Sequence, residues 1–175
     1  MLMATTCKLI AKTVLGSSAS NIEFTSIPAT YTDLLVVCSL RTDRAVHAET
    51  VRLTFNGAST NYSERMLYGD SAGATSYSNT TAYLGAIFAN SASATSSTFG
   101  NADIYIPNYA GSTNKSVSAT SVTETNSGTQ NQAFIGAFAG LWSSTAAITS
   151  LRLAPVTGPN FVSGSSAYLY GILKA

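Results

Sequence analysis

The sequence predicts an all-β protein, a single-domain antiparallel β-sandwich of jelly-roll type. Three observations predict it. About ten short apolar or alternating runs recur at intervals of about a dozen residues, separated by Gly, Pro, Asn and Ser turn signals. Only 10% of the residues are charged, where a globular chain carries roughly a quarter. In their place stand 25 Ser and 23 Thr, residues that disfavour helix and suit strands and turns. At 175 residues the chain suits one domain with a real core, and no linker-like break or internal repeat divides it.

In chain order, Lys8–Val14 reads as a first strand after a short N-terminal arm over residues 1–7, and Asn21–Thr25 as a brief second one. Ile27-Pro28 then interrupts the pattern, because proline cannot hold a central ladder position. Asp33–Leu40 (DLLVVCSL) is apolar on both sides through Val37, which predicts a central strand. Thr50–Asn56 alternates cleanly, with Val51, Leu53 and Phe55 inward and Arg52, Thr54 and Asn56 outward, and Asn56-Gly57 ends it in a turn. Glu64–Tyr68 and Tyr83–Ala89 are further strands; Gly69–Asn79 between them reads as a polar loop, and Asn90–Thr98 as a small, polar segment free to move. Asp103–Ile106 stops at Pro107. Lys115–Glu124 alternates only weakly, as a flat or edge strand would.

Ala133–Trp142 (AFIGAFAGLW) is ambiguous. Phe134, Phe138 and Leu141 have helical spacing, but Gly136 and Gly140 and the lack of good helix formers favour a strand. The stretch Ala147–Ile172 contains two apolar runs, Ile148–Leu153 and Ala167–Leu173, joined through Pro155, Gly158, Pro159 and Gly164. In the second run Tyr168, Tyr170 and Ile172 share one side while Ala167, Leu169 and Leu173 share the other. A strand apolar on both sides lies between two layers or presents one face to another subunit, so Tyr168 and Tyr170 are candidate contact residues.

The chemistry-bearing residues are few and scattered. His47 is the single histidine, and no GxSxG elbow accompanies it. Cys7 and Cys38 form no CxxC or Cys/His cluster; one disulfide between them is open to the sequence, but free or buried thiols are the expectation. Eight acids give many chance pairs, no calcium-loop spacing and no phosphate loop. No catalytic, cofactor-binding or metal-ligating residue is therefore expected, and the protein reads as non-enzymatic. A net charge of +1 without a basic stretch gives nucleic acid no surface, and no apolar run is long enough for a membrane-spanning helix. The N-terminus reads as a poor signal peptide. Charge concentrates only in Arg41–Arg52, which holds Arg41, Asp43, Arg44, His47, Glu49 and Arg52. That segment is either a solvated loop with local ion pairs or a contact in which Arg41, Arg44 and Arg52 use their guanidinium forks on a neighbouring subunit or another partner protein. Tyr62, Tyr68, Tyr77, Tyr83, Tyr105 and Tyr109 lie near loops or strand ends, where they either stack on sugars or fill strand faces.

Several stretches together resemble a family of tailed-bacteriophage virion proteins: FTSIPATYTDLLVVCSLR (Phe24–Arg41), LTFNGASTNYS (Leu53–Ser63), IPNYAGSTNKS (Ile106–Ser116), AITSLRL and SGSSAYLYGI. These are small jelly-roll modules that serve as head decoration (cement) proteins or as terminal domains of tail fibres. The resemblance implies a symmetric oligomer, a homotrimer, with a binding or stabilising role on the phage head surface against the major capsid protein. Residues 1–7 would then be an arm reaching the capsid or a neighbouring subunit. The alternative it implies is a tail-associated receptor- or glycan-binding module that meets other tail proteins. It carries over no catalytic residues and no cofactor.

Overall fold

The computed structural model describes residues 6–173, which form twelve strands and no helix. In chain order these are β1 (Cys7–Val14), β2 (Ile22–Phe24), β3 (Asp33–Leu40), β4 (Ala48–Phe55), β5 (Tyr62–Asp70), β6 (Gly73–Thr81), β7 (Leu84–Asn90), β8 (Gly100–Ile106), β9 (Lys115–Thr123), β10 (Phe134–Trp142), β11 (Leu151–Pro155) and β12 (Ser166–Ile172). They form two antiparallel sheets, one ordered β1-β12-β3-β8-β9-β10-β5-β6 and the other β2-β11-β4-β7. Within this arrangement β1-β12-β3-β8 faces β2-β11-β4-β7. The first and last strands are neighbours in one set, and the second and second-last in the other. That is the jelly-roll winding. The remaining strands, β5, β6, β9 and β10, are two insertions that extend the first sheet beyond β8.

The alternation of side chains decides which residues meet between the sheets. Leu34 and Val36 of β3, Ile104 of β8 and Leu169 of β12 are fully buried against Val51, Leu53 and Phe55 of β4, Leu151 and Leu153 of β11 and Ile87 of β7. Burying one such side chain contributes about 1.5–3 kcal/mol, so this layer supplies most of the driving force. At one end Phe55, Tyr62 and Trp142 cluster with centroids 5.6–6.3 Å apart, Tyr62 stacked on Trp142 and Phe55 tilted against both, and the Phe55 N–H donates to the Tyr62 hydroxyl at 2.9 Å. The Asn56-Gly57 turn forms as expected: both residues have positive φ, at 52° and 69°, and the Ala58 N–H closes the turn on the Phe55 carbonyl at 2.8 Å.

Several elements differ from the sequence reading, each for a physical reason. The expected loop Gly69–Asn79 is instead the end of β5 and most of β6, a regular hairpin in nine-pair register. It reads as a loop because β6 has no layer over it, so neither face needs apolar residues. Lys115–Glu124, expected as a flat or edge strand, forms β9, which lies between β8 and β10 and is not an edge. Its inward residues Val117, Ala119, Ser121 and Thr123 are small because β7 passes close over them, so the weak alternation marks proximity rather than exposure. Ala133–Trp142 is a strand, as its glycines indicate: β10 points Gly136 and Gly140 inward, beneath Phe88 and Leu84 of β7. Asn90–Thr98 is not left free but tied down by Arg41, as described below. The two apolar runs of Ala147–Ile172 become β11 and β12, which lie in opposite sheets, so the turn-rich link between them crosses from one layer to the other. Of the expected N-terminal arm, residues 1–5 lie outside the described residues; Thr6 accepts from the Leu173 N–H at 2.8 Å and Cys7 opens β1.

Candidate functional site

The outward face of the large sheet is built by register. On β12, Tyr168 lies opposite Val37 of β3 and Lys12 of β1, and Tyr170 lies opposite Leu35 and Leu9. Ile172 continues the row opposite Asp33 and Cys7. The other side of β12, Ala167 and Leu169, is fully buried in the core. Tyr168, Tyr170, Ile172 and Leu35 are half-buried, while Leu9, Val37 and Val14 are 44%, 40% and 58% exposed. Apolar residues in this number on a solvent face are the feature that marks interaction surfaces. A second exposed group, Val122, Leu67 and Ile135, continues the face onto β9, β5 and β10. Between the groups Tyr105 donates to Asp33 Oδ2 at 2.7 Å, and this hydrogen bond to a carboxylate raises the phenol pKa above its ordinary value.

The charged segment Arg41–Arg52 does not act as one unit. Arg41 points inward along the loop after β7, donating from Nη1 to the carbonyls of Thr95 and Thr98 at 2.8 Å and from Nη2 to those of Ala94 and Ala92 at 3.1 and 3.3 Å. Asp43 accepts from the backbone and side-chain amides of Asn160 at 3.1 and 3.0 Å. Glu49, buried at 2% exposure, accepts from Arg44 at 3.3 Å and from the Thr157 N–H at 2.9 Å. These three contacts fasten the loops at one end of the sandwich.

Arg52 lies apart from the other two arginines, on the small sheet and thus on the opposite side of the molecule from Tyr168 and Tyr170. There it lines a groove of about 360 Å³ with Arg152, Glu23, Thr54, Tyr83 and Ser150. Arg152 lies across from Glu23 and Thr54, and Ala154 across from Arg52, so the two guanidinium-bearing residues are diagonal neighbours on one face. The single ion pair among the described residues is Arg44–Glu49, so neither groove arginine is neutralised by a carboxylate within 4.0 Å. Arg152, Glu23 and the Leu9–Leu35–Val37 patch escaped sequence reasoning. The signal for the first two was present: AITSLRL and NIEFT each place one charge at the outward position of an otherwise apolar run.

The remaining candidates fall into separate places. His47 is half-buried and its carbonyl accepts from the Ser91 N–H, while the Asp43 carboxylate faces Asn160. Cys7 and Cys38 are free thiols, the first exposed and the second buried, where desolvation, with a lesser push from Asp103, drives the Cys38 pKa up to about 12. Among the described residues no three His, Cys, Asp or Glu side chains converge on a common point. Of the six tyrosines considered for sugar stacking, Tyr62 and Tyr109 are core residues and Tyr68 packs edge-on against Tyr77, Phe88 and Phe134. Tyr83 faces the arginine groove and Tyr105 the large-sheet face. Glu64, buried beneath β7, accepts from the Gly85 N–H at 2.6 Å; desolvation raises its pKa and the hydrogen bond offsets part of that rise. No family model and no curated protein matches this chain.

Proposed function

We propose that the protein is a non-enzymatic virion component, a decoration (cement) module that self-associates symmetrically, as a homotrimer, and binds the major capsid protein on a phage head. The observation that carries the reading is the outward face of the large sheet, where Tyr168, Tyr170 and Ile172 are set among Leu9, Leu35 and Val37. Eight strands about 4.8 Å apart and about 26 Å long present a surface on the order of 1000 Å². A stable interface takes about 800 Å² from each partner, so the face is large enough for one. The scarcity of charge supports the same reading, since little electrostatic repulsion separates copies held side by side. So do the stretches that resemble tailed-phage virion proteins. The jelly-roll winding alone is no argument for this role, because one fold serves many functions.

The test is sedimentation of the wild-type chain and of Tyr170→Asp, followed by pelleting each with undecorated heads. A carboxylate at the centre of the apolar face is expected to break the trimer, seen as a lower sedimenting mass, and to remove head binding. An unchanged oligomer that still pellets with heads overturns the proposal.

The arginine groove favours a second reading, a tail-associated module that binds a glycan. Arg forks recognise carboxylates in a bidentate manner and Tyr83 offers a ring at the groove wall, so acidic saccharides are the class that fits. A panel of neutral and uronate-bearing oligosaccharides separates the readings: selective retention of the acidic members, lost in Arg152→Ala, supports the glycan module.

A further inference from the structure

We infer that β6 is an assembly edge that pairs with β6 of a second copy of this chain across a two-fold axis. The two sheets have four boundary strands, β1 and β6 for the large one and β2 and β7 for the small one. An open edge is a template for another strand, and folded proteins blunt it with lysine, a bulge, shortness or a cover. Three of the four edges are blunted. β1 carries the exposed Lys8 and Lys12, and its ladder breaks register between Leu9 and Ala11. β2 is three residues long with Glu23 at its centre. β7 is tucked against β9 and β10, with every residue but Phe88 buried.

β6 has none of these devices. Its nine residues, GATSYSNTT, pair with β5 without a register shift and contain no charge and no proline. Gly73 to Ser78 and on to Thr80 are exposed, so no second layer of this chain accounts for a strand of that length and regularity.

The strand is self-complementary about its central residue, Tyr77. Antiparallel pairing on a two-fold through that position sets Tyr77 opposite Tyr77, Ser76 opposite Ser78, Thr75 opposite Asn79 and Ala74 opposite Thr80. Every facing pair is uncharged, and aromatic and hydroxyl pairs across antiparallel strands are favourable. A contact of this kind is isologous, so it closes after two copies. Head-to-tail pairing of β6 with β1 is opposed by the lysines and the register break on β1. The β6 edge is distinct from the Tyr168–Tyr170 face, so its loss leaves the proposed head-binding role standing.

Hydrogen exchange with mass spectrometry, together with sedimentation, tests this on the full chain at low and high protein concentration. The β6 amides that face away from β5 are expected to slow about tenfold or more at high concentration. The double variant Ser76→Lys/Ser78→Lys is expected to abolish that slowing and to lower the mass, while β3 amides stay protected as a control for folding. Tyr170→Asp is expected to keep the slowing. The inference is overturned if wild-type β6 amides exchange equally fast at both concentrations, or if they remain slowed in the folded double-lysine variant. Should β3 report the variant unfolded, the wild-type comparison decides alone.

Discussion

Arg41 shows how one side chain can govern a loop. Its fork reaches four carbonyls between Ala92 and Thr98, and Thr98 Oγ1 turns back on the Thr95 carbonyl to complete the knot. Arg41→Ala is expected to destabilise the protein by on the order of 2 kcal/mol, measured by chemical denaturation, and to open residues 92–98 to limited proteolysis. Arg41→Lys keeps the charge but not the planar fork and is expected to recover less than half of the loss. Glu64 acts in the opposite sense. Its folded-state pKa lies above the ordinary 4.5, chiefly through desolvation, so the native state holds the proton more tightly than the unfolded chain. Stability therefore falls as pH rises above 4.5 through the folded-state value and stays reduced at neutral pH. Glu64→Gln retains an acceptor for the Gly85 N–H and is expected to gain on the order of 1 kcal/mol at pH 7 while changing little at pH 4, as read by urea titration at the two pH values. None of this was legible in the sequence. Arg41 looked like one more member of a charged stretch, because its acceptors lie more than fifty positions away.

At the scale of elements, the strands that sequence reading placed well are those with a covered face. β3, β4, β11 and β12 alternate or run apolar because one side must meet the opposite sheet. The insertions are harder for the same reason inverted. β6 faces no layer, and β9 faces one that comes too near for large side chains, so neither carries the usual pattern. β10 shows what close approach requires. A Cβ on Gly140 would stand 2.7 Å from the Phe138 ring and 2.9 Å from Leu84, and one on Gly136 3.0 Å from Phe88. Gly140→Ala is accordingly expected to push β7 away and cost about 1–3 kcal/mol, with a lower thermal midpoint and no change in strand content by circular dichroism. The glycines that made AFIGAFAGLW look unlike a good helix are the ones that let β7 settle on it.

For the whole molecule, the fold class was legible while the winding was not. Periodicity reports which side of a strand is buried, but the pairing of β1 with β12 or of β2 with β11 joins residues at opposite ends of the chain. The same holds for the surfaces. Tyr168 and Tyr170 were identifiable because β12 is apolar on both sides, yet only the register adds Leu9, Leu35 and Val37 to them and moves Arg52 to the far side of the sandwich. Because both sheets share one core, unfolding is expected to be a single transition in which Trp142 fluorescence and far-ultraviolet circular dichroism coincide; two separated midpoints would show that the β5–β6 and β9–β10 extension melts by itself. The β1–β12 ladder carries one more consequence. Cys7 pairs with Ile172 and Val14 with Ser166, so the two ends of the described chain leave the sheet at the same corner. A pull between Thr6 and Leu173 would load these pairs one after another, as a zipper is opened, rather than all at once in shear. Tension delivered through the ends meets the molecule in its weakest direction, whereas a load spread across the broad sheet face is borne by every strand together.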